Sequence, residues 1–263
     1  MPYAEVNGQT LYYEDTGGAG LPVILGHGFL MDCEMFAPQV EALRDEFRVI
    51  TWDERGFGKT ESDGRPFSYW DGALDCLALL DHLGIARAVV GGMSQGGYLS
   101  LRLALLAPER VIGLVLIDTA AGDEGLRKTL QYRLMLAAWS RGWLREPLMQ
   151  RTAKIIIDHE PENAEWIAKW RARDGASIVE PGRCLMSRDS VSPRLHEISC
   201  PALVIHGTDD HAISLEHARA LAGGLRGCQG VVEIEGAGHA ANLTHPAPVN
   251  AALLSFLRGL PQA

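Results

Sequence analysis

The chain of 263 residues predicts an α/β fold: a mostly parallel β-sheet flanked by helices, with an inserted helical cap. Three observations carry this expectation. Short runs, apolar on both faces, alternate with longer helical patterns, as in parallel sheets covered by helices on each side. The alternation stops between about Gly122 and Leu195, where no strand pattern is found, and resumes at Ala202. No internal repeat, low-complexity tract or flexible linker divides the chain. The expected organisation is a core of residues 1–121 and 196–263 around a cap of residues 122–195.

In chain order, Ala4–Val6 and Leu11–Asp15 flank Asn7-Gly8, a type I′ turn signal, and read as a hairpin. Val23–Leu25 and Val49–Trp52 are the next strands. From Trp70, the apolar residues Ala73, Leu74, Leu77 and Leu80 recur at helical spacing, with Ser68 and Asp71 spaced as a capping box. Ala88–Val90 is a strand, followed by Gln95–Ala107, a helix apolar nearly all round and therefore buried. Pro108 stops it. Val111–Ile117 completes this half of the sheet. In the insertion, Trp139 and Trp143, and then Trp166 and Trp170, stand at i, i+4 spacing on expected helices. Ala202–Ile205 and Val231–Ile234 are the last strands, and Leu215–Leu225 and Val249–Leu260 the last helices.

Composition removes several classes of function. With 47% hydrophobic and 22% charged residues the chain is ordinary globular material, not a disordered segment, a collagen or a disulfide miniprotein. Its formal net charge of −9 argues against binding nucleic acid or anionic membrane through general electrostatics. The longest apolar runs, such as Val111–Ile117, fall far short of the roughly 20 residues a bilayer span requires. The start, Met1 to Glu5, has neither a charged n-region nor an apolar h-region, so no signal peptide is expected. The five cysteines (Cys33, Cys76, Cys184, Cys200, Cys228) are odd in number and lack CxxC or metal-ligand spacing. They read as reduced thiols of a cytoplasmic protein.

The sharpest chemical signal is Gly92-Met93-Ser94-Gln95-Gly96, a G-x-S-x-G pentapeptide between a strand and a buried helix. A nucleophile projecting from so sharp a turn needs small neighbours, and the following helix aims free N–H groups at the reacting carbon. A serine hydroxyl needs a base. His239, on the glycine-rich loop after the last strand, is the best placed of the nine histidines; His245, before Pro246, is expected to open the terminal helix. The base in turn needs a carboxylate to hold its tautomer. Asp209 and Asp210 both follow the strand Ala202–Ile205, and Asp118, ending Val111–Ile117, is the rival. Strand carboxyl ends are where open parallel sheets bind ligands. Gly236 to Ala241 also fits a dinucleotide-type G-x-G-x-x-A, but no second strand with an acidic residue follows, so nucleotide binding is not expected. No HExxH or His/Cys cluster suggests a metal.

Taken together, these motifs resemble the α/β-hydrolase superfamily over nearly the whole chain. His27-Gly28-Phe29 is similar to the family's oxyanion loop, Asp53 to Gly58 to its D-x-R-G-x-G turn, Gly92 to Gly96 to its nucleophile elbow, and Gly236 to His239 to its histidine motif. The family's G-x-x-D spacing, counted from Gly207, selects Asp210 over Asp209. The resemblance implies a triad of Ser94, Asp210 and His239, with the backbone N–H groups of Phe29 and Gln95 as oxyanion donors. It implies no cofactor. Asp53 to Gly58 read as structural, with Arg55 tying down the turn. The serine nucleophile disfavours the dehalogenase and epoxide-hydrolase branches, and the lack of an HGGG run disfavours the large carboxylesterases. Small esterases, enol-lactone hydrolases, carbon–carbon bond hydrolases and cofactor-free haloperoxidases are the nearest likeness.

The expected activity is therefore serine-dependent hydrolysis of a small-molecule carboxylic ester with a short or medium acyl group. Lactone or carbon–carbon bond hydrolysis with the same triad, and a non-catalytic receptor on the same fold, are the alternatives. No nucleic acid or membrane partner is expected, and the chain is expected to be a monomer or homodimer. Phe29, Trp139, Trp143 and Trp166 are candidates for an apolar substrate pocket; the tryptophans have the alternative role, with Trp170, of packing the cap's own core.

Overall fold

In the computed structural model, which describes residues 2–123, 125–142, 144–158 and 162–261, the chain opens with β1 (Tyr3–Val6) and β2 (Gln9–Asp15). These pair antiparallel about Asn7-Gly8, whose φ angles of 50° and 73° suit a type I′ turn. The remaining strands are β3 (Leu21–Gly26), β4 (Phe47–Trp52), β5 (Ala88–Met93), β6 (Val111–Ile117), β7 (Ala202–Gly207) and β8 (Cys228–Ile234). All eight form one sheet in the order β1-β2-β4-β3-β5-β6-β7-β8. β2 meets β4 antiparallel; every pair from β4 to β8 is parallel. β5 and β6 are buried at every position, which is why their sequences read as continuous apolar runs.

The helices of the core are α1 (Ala37–Leu43), α2 (Tyr69–His82) and α3 (Gln95–Leu106). Ser68 and Asp71 close the expected capping box at the start of α2. Side chains alternate between two apolar layers: Ile24, Ile50 and Leu114 pack towards α2 and α3, while Val23, Val49 and Val115 pack on the opposite face. No helix was expected at α1, a seven-residue element opened by Pro38 and too short to show a periodic apolar stripe.

Between β6 and β7 the described residues form only helices: α4 (Gly125–Ser140), α5 (Arg145–Ile156), α6 (Glu162–Ala172) and α7 (Val179–Met186), with single 3₁₀ turns. The chain rejoins the core at Val191, whose N–H donates to Ala121 across 2.9 Å, and Leu195 already belongs to the main core. The insertion is tied down from both sides. Arg102, buried in α3, donates to the carbonyl and carboxylate of Asp189 at 2.6 and 2.8 Å, and Lys169 of α6 pairs with Glu34 at 2.6 Å. Helices α8 (Leu215–Gly224), α9 (Ala241–Thr244) and α10 (Pro246–Arg258) complete the described chain, with His245 at the position that opens α10. No described helix is long and apolar enough to cross a membrane.

Candidate active site

Ser94 stands at the β5–α3 junction with φ 51° and ψ −108°, a conformation costly for a residue with a side chain. The surroundings enforce it. The Ser94 N–H donates to Ile117 at 2.9 Å, and its carbonyl accepts from the N–H of Gly97 and Tyr98 and from the Thr119 hydroxyl at 3.0, 3.1 and 2.7 Å. The turn also requires glycine on either side. A Cβ at Gly92 or Gly96 would lie 2.3 or 2.0 Å from the Gly26 carbonyl oxygen.

The Ser94 hydroxyl lies 3.1 Å from His239 Nε2, and His239 Nδ1 lies 2.8 Å from Asp210 Oδ2. Three strand ends thus meet: Ser94 after β5, Asp210 after β7 and His239 after β8. All three side chains are buried. Burial by itself pushes the His239 imidazole down, but the charge and hydrogen bond of Asp210 outweigh it and hold it above its ordinary value. The reciprocal holds for Asp210. Burial opposes ionisation, yet His239 and the N–H groups of Ala212 and Ile213, at 2.7 and 2.9 Å from Oδ1, keep the carboxyl below its usual range.

The two rival carboxylates are elsewhere. Asp209 is exposed. Asp118 is fully buried behind the line, its two oxygens accepting from the N–H of Gly207 and Ala241 at 2.9 and 3.0 Å. Burial and the Asp210 charge raise it to about 8. It stitches β6 to β7 and to the loop carrying His239. A residue the sequence reading passed over, His206, lies between the two carboxyls, its Nε2 2.9 Å from the Ile213 carbonyl and 3.3 Å from Asp210 Oδ2. Asp118, His206 and Asp210 are the one metal-capable trio among the described residues. The oxygens of both carboxyls are already committed to N–H donors.

A cavity of about 220 Å³ opens onto Ser94 and His239. Phe29, Leu30, Met93 and Leu185 line it from below and beside, with Lys128, Gln131, Tyr132 and Met135 of α4 and Thr152, Ile155 and Ile156 of α5 across from them. Phe29 is among the lining residues. Trp139 and Trp166 are not, and take the alternative role of packing. Both are buried in the interior of the insertion, Trp139 edge-on to Trp170 at 5.9 Å and Trp166 under the Lys169 ammonium at 4.0 Å. Spacing of i, i+4 fixes a shared helix face but not what that face covers. Trp143 lies outside the described residues. The signal that was missed is the stripe Lys128, Gln131, Tyr132, Met135, a full i, i+3, i+4, i+7 set. Larger clefts exist, one of about 640 Å³ lined by Leu203, Val232 and Phe256, but it contains neither Ser94 nor His239.

Among the described residues, neither Phe29 nor Gln95 uses its backbone N–H in a turn or cap bond. The arrangement can deprotonate a hydroxyl, hold the resulting imidazolium, and offer N–H groups to a developing anion.

Fold and site together place the chain among hydrolases of the α/β class. It belongs to the alpha/beta hydrolase family, whose profile matches residues 23–252. A chain named for carbamate hydrolysis, RutD of Azorhizobium caulinodans, is 30% identical over 100% of both sequences. A thermophilic esterase from Thermogutta terrifontis superposes with a TM-score of 0.89 at 28% identity, covering 97% of each chain. The enol-lactonase of Burkholderia xenovorans does so with a TM-score of 0.87 at 28% identity, covering 98% of this chain and 100% of its own.

Proposed function

We propose that this protein hydrolyses carboxylic esters of short or medium acyl chain through an acyl-enzyme intermediate, without a cofactor. The carrying observation is the continuous line from Ser94 Oγ through His239 to Asp210, at 3.1 and 2.8 Å, on the floor of the cavity. Ser94 attacks the ester carbonyl as His239 Nε2 takes its proton. Asp210 accepts the Nδ1–H, fixing the tautomer in which Nε2 is the free base, and stabilises the imidazolium. The oxyanion forms against the N–H groups of Phe29 and Gln95. His239 then returns its proton to the leaving alcohol, and a water activated by the same nitrogen releases the acid. Two such donors contribute on the order of 3 kcal/mol each to the transition state.

The lining is mainly apolar and the volume, about 220 Å³, suits a small acyl group. The esterase and enol-lactonase likenesses support an ester bond as the target. Lactone opening is a second reading, since a lactone follows the same steps with the leaving oxygen still tethered, and the enol-lactonase superposition favours it. A panel of p-nitrophenyl esters and lactones of graded length, assayed with wild type and Ser94→Ala, tests the proposal: turnover that disappears with Ser94 supports it, and turnover that survives contradicts it.

A further inference from the structure

The buried Glu54 occupies a place that the reaction scheme leaves unused. It follows β4, and its side chain is buried beside the start of α3. Its Oε2 accepts from the Gln95 side-chain amide at 2.7 Å, and the same amide's Oε1 receives the Tyr69 hydroxyl at 3.3 Å. Its Oε1 has no hydrogen-bond partner among the described residues. Its backbone N–H donates to His27 Nε2 at 3.0 Å, which leaves the proton of that ring on Nδ1, where it donates to the Gly28 carbonyl at 2.8 Å.

These bonds act on peptide planes. The Gly28 carbonyl and the Phe29 N–H belong to one planar trans unit, so holding the carbonyl points the N–H the opposite way. The Gly28 carbonyl is held twice, by His27 and by the Met31 N–H at 3.0 Å. The Ser94 carbonyl, in one plane with the Gln95 N–H, is likewise held by Gly97, Tyr98 and Thr119. The Gln95 side chain leaves that plane at the first turn of α3, and Glu54 and Tyr69 hold its amide.

We propose that Glu54 is a positioning residue for the oxyanion site, its carboxyl fastening the side chain of Gln95 and with it the residue that carries one of the two proposed donors. The proposal rests on the serine-hydrolase reading above. Burial pushes the Glu54 carboxyl well above the ordinary carboxylate range, which disfavours a negative charge beside a site built for an anion. Burial equally drives His27 down to about 4, keeping its Nε2 a bare acceptor.

The test compares wild type, Glu54→Ala, Glu54→Gln, Gln95→Met and the double variant Glu54→Ala/Gln95→Met on one p-nitrophenyl ester. Each rate is divided by the Ser94 titratable with a fluorophosphonate. Misplacing one donor by a fraction of an ångström costs roughly 10–100-fold. The expected result is such a loss in kcat for Glu54→Ala and for Gln95→Met, with KM within about threefold. Glu54→Gln recovers most of the rate, and the double variant is no worse than either single change, because both cut one tether. Where Glu54→Ala yields too little folded protein, Gln95→Met decides, since it keeps the Glu54 side chain and puts an unbranched residue of similar length at 95. A wild-type kcat in Gln95→Met, multiplicative losses in the double variant, or a Gln variant no better than Ala overturns the proposal. If the wild type neither labels nor turns over, the hydrolase reading falls and this one with it; if the wild type turns over and Glu54→Ala matches it, only this one falls.

Discussion

The indole N–H of Trp170 donates to the carbonyl of Leu30 across 2.6 Å, joining the inserted helices to the loop that carries Phe29. Trp170 also packs edge-on against Trp139, so the interior of the insertion and the rim of the site share a fastening. Replacing Trp170 by Phe keeps an aromatic ring but removes the donor and part of the buried indole volume, leaving a buried carbonyl without that partner. The expected loss is about 1–3 kcal/mol of stability, read as a lower urea midpoint at constant slope. An unchanged midpoint contradicts the role given to this bond.

Trp139 and Trp166 are core residues of the insertion, so truncation acts on stability and not on choice of substrate. Trp139→Ala and Trp166→Ala are expected to lose about 3–5 kcal/mol each while keeping the wild-type ratio of kcat/KM for short and long esters. Enlarging a lining residue does the reverse. Met135→Phe or Ile156→Phe reduces the cavity above Ser94 and shifts that ratio towards shorter acyl chains, with a smaller stability cost. Chain-length preference that follows the tryptophans instead would move the pocket to the other side of α4.

The three carboxylates near the site separate by kinetics. Asp210→Asn is expected to lower kcat/KM by about 10⁴-fold, since the amide favours the wrong tautomer of His239. Asp118→Asn replaces an oxygen that accepts a backbone N–H with a group that cannot. It is expected to cost about 1–3 kcal/mol of stability with a much smaller kinetic effect. Asp209→Asn, at an exposed position, changes little. A crippled Asp118 variant beside a working Asp210 variant would reverse the assignment.

Acid should switch the enzyme off. His239 must be neutral to accept the Ser94 proton, and Asp210 holds its pKa above the ordinary value, so activity is full above that raised value and falls as pH drops through it. The midpoint of the acid limb in kcat/KM is expected above about 6.5. In Asp210→Asn the attractive charge is gone and burial dominates, so the residual activity should have its midpoint shifted lower. A midpoint at or below the ordinary value in wild type contradicts the coupling. Dialysis against EDTA is expected to leave the rate unchanged; a loss restored by zinc would point to a different chemistry.

The strands and the elbow were legible because their causes are local. A strand buried on both faces must be apolar throughout, as β5 and β6 are, and Gly92 and Gly96 announce a turn that no larger residue fits. The family's G-x-x-D spacing, counted from Gly207, points to Asp210, the carboxyl that stands 2.8 Å from His239 Nδ1. Other features depend on what lies across space. The tryptophan pairs declare a shared helix face without saying whether it meets solvent, ligand or core. Glu54 reads as one more charge in a turn motif until β4, α3 and the His27 loop are brought together around it. His206 is silent for the same reason, its neighbours Asp118 and Asp210 lying on two different strand ends.

The central claim, that Ser94 is a nucleophile activated by His239, is tested most directly by covalent mapping. Wild-type protein is treated with a fluorophosphonate, digested, and the adduct located by mass spectrometry, with Ser94→Ala and His239→Gln alongside. The account predicts a single stoichiometric adduct on Ser94, none in Ser94→Ala, and labelling slowed by orders of magnitude in His239→Gln. An adduct on another residue, or undiminished labelling in His239→Gln, would contradict it.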